Sequence, residues 1–423
     1  MKYDTPTTFI ATLCLAWTPA VAETIHVPND FVTIQAAVDA ASNGDTIIVS
    51  PGTYTYSGSD QWASVVDIDD KQITLRASGA PGETIIDGMG THRTVSFWNI
   101  GTPATVIDGF TITNSPRSGI WCYHASPTIT NCIIIANSHD GLGASGGGID
   151  CTNESSPAII NCTVMENSAG DGRGGGIACG MNSSGADTTI TGCTISGNYA
   201  YWTDTSPSTS GGGGIYCWNG GATITDCIIT GNIAANGGGI HDPYLGGSIA
   251  ITGCTISNNT AATGGNMGGG GIFCYGGDGT LITDCTVTGN TSAAGGGGIW
   301  EGSLSGGIDH CTITGNTAAS AGGGLYRFHV GFNITISNTS ICGNESDQIA
   351  GSYYLDEGGN TFADECADAC PSDVTGDGVV DSYDILEAID AWGPCSGCEA
   401  DTNGDEVVDV VDLLAILTAW GSC

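Results

Sequence analysis

From about residue 120 to 345 apolar and polar positions alternate in short period-2 runs, separated by glycine-rich stretches. Asn161-Cys162-Thr163-Val164-Met165-Glu166-Asn167 leads on to Gly174-Gly175-Gly176-Ile177-Ala178-Cys179, and the same phrase returns through the segment. Its markers are Cys132, Cys162, Cys193, Cys227, Cys254, Cys285 and Cys311, spaced 26 to 34 residues, each followed five positions later by an Asn. Alternating runs rich in Ile, Val and Thr predict strands. Each unit holds three of them, as in 214–217, 222–225 and 227–230. Between the second and third stands Asn131, Asn161, Gly192, Asp226, Gly253, Asp284 or His310. Most of these tolerate a left-handed turn. Three strands with one tight corner describe a coil, and stacked coils give parallel sheets with rungs about 4.8 Å apart. The expected fold is all-β, a parallel β-helix, right-handed by the crossover rule.

Upstream, Phe31, Ile34, Val38 and Ala41 fall at helical spacing. A helix there would cover the open apolar end that every solenoid must cap. Alternation also assigns faces: if the repeat Ile points inward, the residue two later does too. The inward column then reads Cys122, Cys151, Cys179, Cys217, Asp242, Cys274, Glu301 and Arg327. Packed thiols and disulfides both fit the cysteines, and Glu301 with Arg327 suggests a buried ion pair. The outward positions carry Trp121, Tyr123, Tyr216, Trp218, Phe273, Tyr275, Trp300 and Tyr326. Rings repeated along one sheet could stack on the sugars of a polysaccharide, or corner loops could fold over them. His124, His139 and His241 lie near this stripe.

The segment 27–54 and the strands that follow it resemble the first coils of the pectin-lyase-like superfamily. The Gly-Gly-Gly-Ile units resemble the polymorphic outer-membrane protein repeat. The first resemblance implies a polysaccharide ligand and, for an enzyme, a polysaccharide lyase or glycoside hydrolase. It assigns no catalytic residue here. There is no Gly-His-Gly with paired aspartates, and the Gln-Asp pair of an esterase is missing. A lyase base would have to come from Lys71, Arg76, Arg93, Arg117, Arg173 or Arg327. A non-catalytic surface adhesin is the alternative.

Composition narrows the partners. Against 44 acidic residues the 423-residue chain has 7 Lys and Arg, a net charge of −37. Nucleic acid and anionic membrane surfaces require basic residues that it lacks. Residues 1–22 read as a signal peptide, with an apolar run from Phe9 to Trp17 and a small-x-small site at Ala20-Val21-Ala22. This predicts secretion, with attachment to the cell surface a further option. No other stretch is apolar enough to cross a bilayer as a helix.

The last sixty residues, 364–423, hold fifteen of the acids and no Lys, Arg or His. A second repeat of period 28 runs through them: Cys370/Cys398, Asp373/Asp401, Asp377/Asp405, Asp381/Asp409, Asp384/Asp412, Trp392/Trp420 and Cys395/Cys423. The spacing matches a calcium loop followed by a helix. Its ligands would be Asp373, Thr375, Asp377, the Val379 carbonyl, Asp381 and Asp384, then Asp401, Asn403, Asp405, the Val407 carbonyl, Asp409 and Asp412. The doublet resembles a type I dockerin, which implies Ca²⁺ and a cohesin-like or cell-envelope docking partner. Ser382-Tyr383 and Val410-Val411 differ from the usual recognition pairs, and Glu406 replaces the turn glycine seen at Gly378. The four tail cysteines allow pairing within each copy or between the ends. The expected order is signal peptide 1–22, β-helix 23–345, linker 346–369 and an α-helical calcium doublet 370–423.

Overall fold

The computed structural model describes the chain from residue 21 onward except 61, 102, 142–144, 152–153, 171, 181–187, 201–210, 219–220, 244–248, 263–266, 276–277, 303–304, 329–333, 365, 367–371, 373, 375–378, 381, 396–397, 399, 404–406 and 423. The expected signal peptide lies almost wholly outside these residues.

The repeat folds as a parallel β-helix. One coil runs Ile215–Cys217, Ala222–Thr225, Ile228–Thr230 and Ile233–Ala234. Stacking such coils builds an 11-stranded sheet, here called the front sheet, a 13-stranded back sheet and a 12-stranded side sheet. Each coil was expected to hold three strands. A fourth, two-residue strand follows in seven coils and forms its own sheet, from Ser138–His139 to Thr317–Ala318. Two residues are too short to show alternation.

The corners obey the backbone rule that the sequence predicts. Asn131, Gly192, Asp226, Gly253, Asp284 and His310 have φ between 50° and 64°. The glycine triplets are required by close approach as well as by turn geometry. Gly212 has φ +68°, and a Cβ on Gly213 would lie 2.5 Å from the Gly238 carbonyl of the next coil. The recurring Asn lines the interior as a ladder. Asn232 donates Nδ2–H to the Ile195 carbonyl and to Asn259 Oδ1, 2.9 and 3.0 Å away. Its backbone N–H also reaches Asn259 Oδ1 at 2.9 Å. The ladder runs from Asn137 to Asn344, where Gln348 Oε1 accepts its last N–H groups. Polar corners buried this deeply need such pairing.

At the N-terminal end a helix, Ile34–Ala40, buries Ile34, Ala37 and Val38. The Thr33 hydroxyl caps it by accepting the Ala36 N–H at 3.1 Å. The expected linker instead contributes the last coil. Ile349–Gly351, Leu355–Gly358 and Thr361–Ala363 extend the front, back and side sheets. A disulfide between Cys342 and Cys366 fastens this coil to the one before it.

The inward column is buried as expected, from Cys122 to Arg327. Its cysteines, and the column from Cys132 to Cys311 that leads into the side sheet, carry no disulfide in this structure. Glu301 accepts from the Arg327 guanidinium in an ion pair wholly inside the coil. In the tail, helices Ser382–Asp390 and Val410–Thr418 each follow one acidic loop. Val379–Val380 pairs with Gly421–Ser422, and Gly393–Pro394 with Val407–Val408, both antiparallel. A small core of Val374, Val380, Ala388, Ala400, Val408 and Ile416 lies between them. Cys395 bonds to Cys398, joining the two copies, while Cys370 and Cys423 lie outside the described residues. No helix among the described residues is long and apolar enough to cross a membrane.

Candidate functional site

The outer face of the front sheet divides into two halves. Register places Asp67, Ser96, Trp121 and Asp150 in one outward row over the first strands. Ala178 follows, and then Tyr216, His241, Phe273, Trp300 and Tyr326 in the later strands. The first half is polar and charged; the second is a stack of rings.

In the ring stack the centroids of His241 and Phe273 are 4.6 Å apart, and those of Phe273 and Trp300 4.5 Å. Tyr216, Phe273 and Trp300 are fully buried despite pointing away from the coil interior. They cannot meet a sugar without first being uncovered. Trp121, Tyr123, Trp218, Tyr275 and Tyr326 are partly exposed. Among the described residues neither imidazole nitrogen of His241 has a hydrogen-bond partner, and burial pulls its pKa down to about 3.

The polar half surrounds a cleft of about 380 Å³ lined by residues including Tyr56, Trp62, Asp67, Arg93, Ser96 and Trp98. Two arginines are fixed here on tryptophan faces. Arg93 Cζ lies 4.1 Å from the Trp121 ring centroid, and Arg117 Cζ 4.0 Å from that of Trp62. Such stacking holds a guanidinium in place against a flat ring. Trp98 meets Trp121 edge-on at 4.5 Å and Tyr123 at 5.2 Å. Ser96 Oγ donates to Asp67 Oδ1 at 2.5 Å, and Gln35 of the capping helix accepts the Asp67 N–H at 2.6 Å. Arg93 Nε donates to the Arg117 carbonyl at 3.0 Å.

Burial lowers the Arg93 pKa to about 10, opposed by Asp150 and Asp67 and reinforced by Arg117. It therefore stays charged at neutral pH. His139 sits beside this cluster, its Nδ1 2.8 Å from the Ser145 carbonyl and 3.0 Å from Ser118 Oγ. Burial, then the nearby Arg93 and Arg117 charges, hold it below the ordinary histidine value. Chemically, the cleft offers two guanidiniums for an anionic group, flat rings for sugar faces and a neutral imidazole at its edge. His124 stands apart, edge-on to the Tyr123 ring and 3.4 Å from Glu154. The sequence pointed to Trp121 and Tyr123 as ligand-facing rings and to Arg93 and Arg117 only among six candidate bases; it did not single out Trp62, Trp98, Asp67 or Asp150. The scarcity of basic residues was the available signal.

A third pair, Arg173 over Trp218 at 5.2 Å, stands further along the sheet.

In the tail, Asp373, Thr375, Asp377, Asp381 and Asp405 lie outside the described residues. Asp384 and Asp412, at position 12 of each loop, are fully buried. Asp412 Oδ1 accepts the Thr402 N–H at 2.9 Å and its Oδ2 the Asp409 N–H at 2.9 Å. The buried carboxylate thus folds back onto its own loop. Among the described residues no three His, Cys, Asp or Glu side chains are grouped to hold a metal.

Residues 87–185 and 175–371 match the family described as the right handed beta helix region. The chain belongs to that family. The match fixes the hand of the helix and extends through the last coil, beyond the boundary at 345 expected from the repeat. No curated protein matches the chain. Solved structures similar to this right-handed β-helix include pectate lyase Pel9A, at 13% identity over 84% of this chain and 83% of that one, with a TM-score of 0.44. The PL6 family alginate lyase AlyGC is similar at 13% identity over 81% of this chain and 51% of that one, TM-score 0.40. A pectin methylesterase from Aspergillus niger is similar at 14% identity over 82% and 90%, TM-score 0.30.

Proposed function

We propose that this β-helix binds a carboxylate-bearing polysaccharide in the cleft over the first strands of the front sheet. The observation that carries the reading is the pairing of Arg93 with Trp121 and of Arg117 with Trp62 in a chain of net charge −37. Two of so few cations stand together, on rings, beside a cleft. A guanidinium takes a carboxylate through paired N–H groups, and the rings take the apolar faces of the sugars. Trp121 and Tyr123 belong to this subsite, and Trp218, Tyr275 and Tyr326 offer weaker contacts along the same face. Affinity electrophoresis through uronate-containing and neutral glycans tests it. Retardation in the acidic gels alone supports the reading; equal mobility in all gels removes it. Release of unsaturated or reducing ends would add cleavage to binding.

The protein is exported and carries its β-helix on a C-terminal calcium module of dockerin type. Ca²⁺ is held by the two sets of loop oxygens named above, with Asp384 and Asp412 closing each loop, and it supplies folding energy to the tail. A face that includes Tyr383, Leu386, Val411 and Leu414, exposed in both copies, offers the docking surface for a cohesin-like or cell-envelope partner. Chelation should expose 370–423 to protease while the β-helix persists; a resistant tail in chelator argues against the module.

The burial of Tyr216, Phe273 and Trp300 favours a second reading for the later coils, as a non-catalytic stem of a surface protein. An absence of products from every glycan that binds would support it.

A further inference from the structure

The thiols of Cys179 and Cys217 stand 3.1 Å apart, sulfur to sulfur, in the buried inward column. The two residues are partners in register on adjacent parallel strands of the front sheet. Rungs of a parallel sheet are spaced about 4.8 Å, which falls inside the roughly 4.4–6.8 Å Cα range that a disulfide spans. A sulfur movement of about 1 Å would close the bond, whose S–S length is about 2.05 Å.

Cys122 and Cys151 are hydrogen-bonded through sulfur in the same column, whereas the second column of cysteines, although its sulfurs also reach one another, is held differently. In the side-sheet column each sulfur is held by backbone. Cys193 Sγ points at the Thr191 and Ile159 carbonyls, 3.4 and 3.5 Å away, and accepts the Cys162 N–H at 3.4 Å. Cys227 and Cys254 repeat the pattern. Those sulfurs serve the corners of the coil. Cys179 also points at a carbonyl, that of Tyr216 at 3.4 Å, but its sulfur is directed along the column toward its neighbour.

We infer that Cys179 and Cys217 form a disulfide that bolts two neighbouring coils together where the polar half of the front face meets the ring stack. Each cysteine directly follows an outward residue of that junction, Ala178 or Tyr216. The oxidant is a disulfide of the glutathione or protein-oxidase class. One cysteine thiolate attacks it to give a mixed disulfide and release a thiol. The second thiolate then displaces the other thiol, so two S–H bonds are lost, one S–S bond forms, and the oxidant is reduced by two electrons. In the folded chain the hydrogen bond from Cys179, then burial, hold the Cys217 thiol protonated. The exchange therefore takes place while the coils are being laid down.

The test is refolding of the full chain in a glutathione redox buffer, continued until Cys342–Cys366 is oxidised. The protein is then denatured and alkylated without reductant, digested and analysed by mass spectrometry. The expected result is one linked peptide pair carrying Cys179 and Cys217, lost in Cys217→Ser, with Cys193, Cys227 and Cys254 alkylated. Two results overturn the inference. One is alkylation of both Cys179 and Cys217 in protein whose Cys342–Cys366 bond is intact. The other is a link from Cys179 to Cys151, its register partner on the opposite side.

Discussion

The Arg93 guanidinium lies over the ring of Trp121, one strand further along the front sheet, at 4.1 Å. The ring sets the position of the charge, and the charge gives the ring a ligand preference. Replacing Arg93 by Gln removes a charge-assisted contact worth roughly 1.5–3 kcal/mol. Affinity for an acidic glycan should fall about tenfold to a hundredfold, and affinity for a neutral one should not change. Wild-type binding should also weaken as salt is raised. Isothermal titration at two ionic strengths reads both effects.

The two halves of the front face should separate binding from stability. Trp300 is fully buried, so Trp300→Ala should cost about 3–5 kcal/mol in urea unfolding, with little effect on glycan affinity. Trp62 is 68% exposed and its ring meets Arg117. Trp62→Ala should change stability by about 1 kcal/mol at most and weaken binding. The reverse pattern would place the ligand on the ring stack instead.

Period-2 alternation told which way a side chain points, and it told this correctly for the inward column and the outward rings. It could not tell what lies over the outer face, so exposed and buried rings looked alike in sequence. The turn residues were legible because backbone sterics act locally: Asn131 and Asp226 adopt left-handed φ as their types suggest. The cleft was not legible for the opposite reason. Trp62 and Arg117 come from segments between strands, and only coil stacking brings residues 55 positions apart into contact. The last coil was hidden because Leu355–Gly358 carries neither the Cys nor the Gly triplet that marks the repeat.

The Asn ladder makes a distinct demand. Asn259 accepts the Asn232 backbone and amide N–H groups and donates to the Ile229 carbonyl and Asn290 Oδ1. Asn259→Ala leaves buried donors and a carbonyl without partners. Each unsatisfied group costs about 1–3 kcal/mol, so a loss of several kcal/mol is expected in denaturant unfolding. Thr255→Ala, at an exposed position of the same coil, should cost well under 1 kcal/mol. A mild effect at Asn259 would mean that water replaces the amide.

Glu301 and Arg327 pair where the coils above them carry cysteines. A lone buried charge is worse than either a pair or an apolar contact. Glu301→Ala should therefore destabilise by about 3–5 kcal/mol. The double change Glu301→Cys with Arg327→Leu, which extends the apolar column, should recover most of that loss. A double variant no better than the single would show that the pair is needed for its hydrogen bonds, such as Arg327 Nε to the Tyr353 carbonyl at 3.3 Å.

His241 predicts the response to acid. Its imidazole is fully buried between Tyr216 and Phe273, and burial depresses its pKa to about 3. In the unfolded chain the same group titrates near 6.5. Between those values the unfolded state binds the extra proton, so stability falls as the pH falls through the window. The slope is about 1.4 kcal/mol per pH unit for one such group, and it vanishes above pH ~6.5 and below ~3. Urea midpoints measured from pH 7 to pH 4 should show this fall in the wild type. His241→Gln, which cannot titrate, should be flatter by that slope against the same background of carboxylates. Parallel curves for the two proteins would show that His241 is not held neutral in the fold.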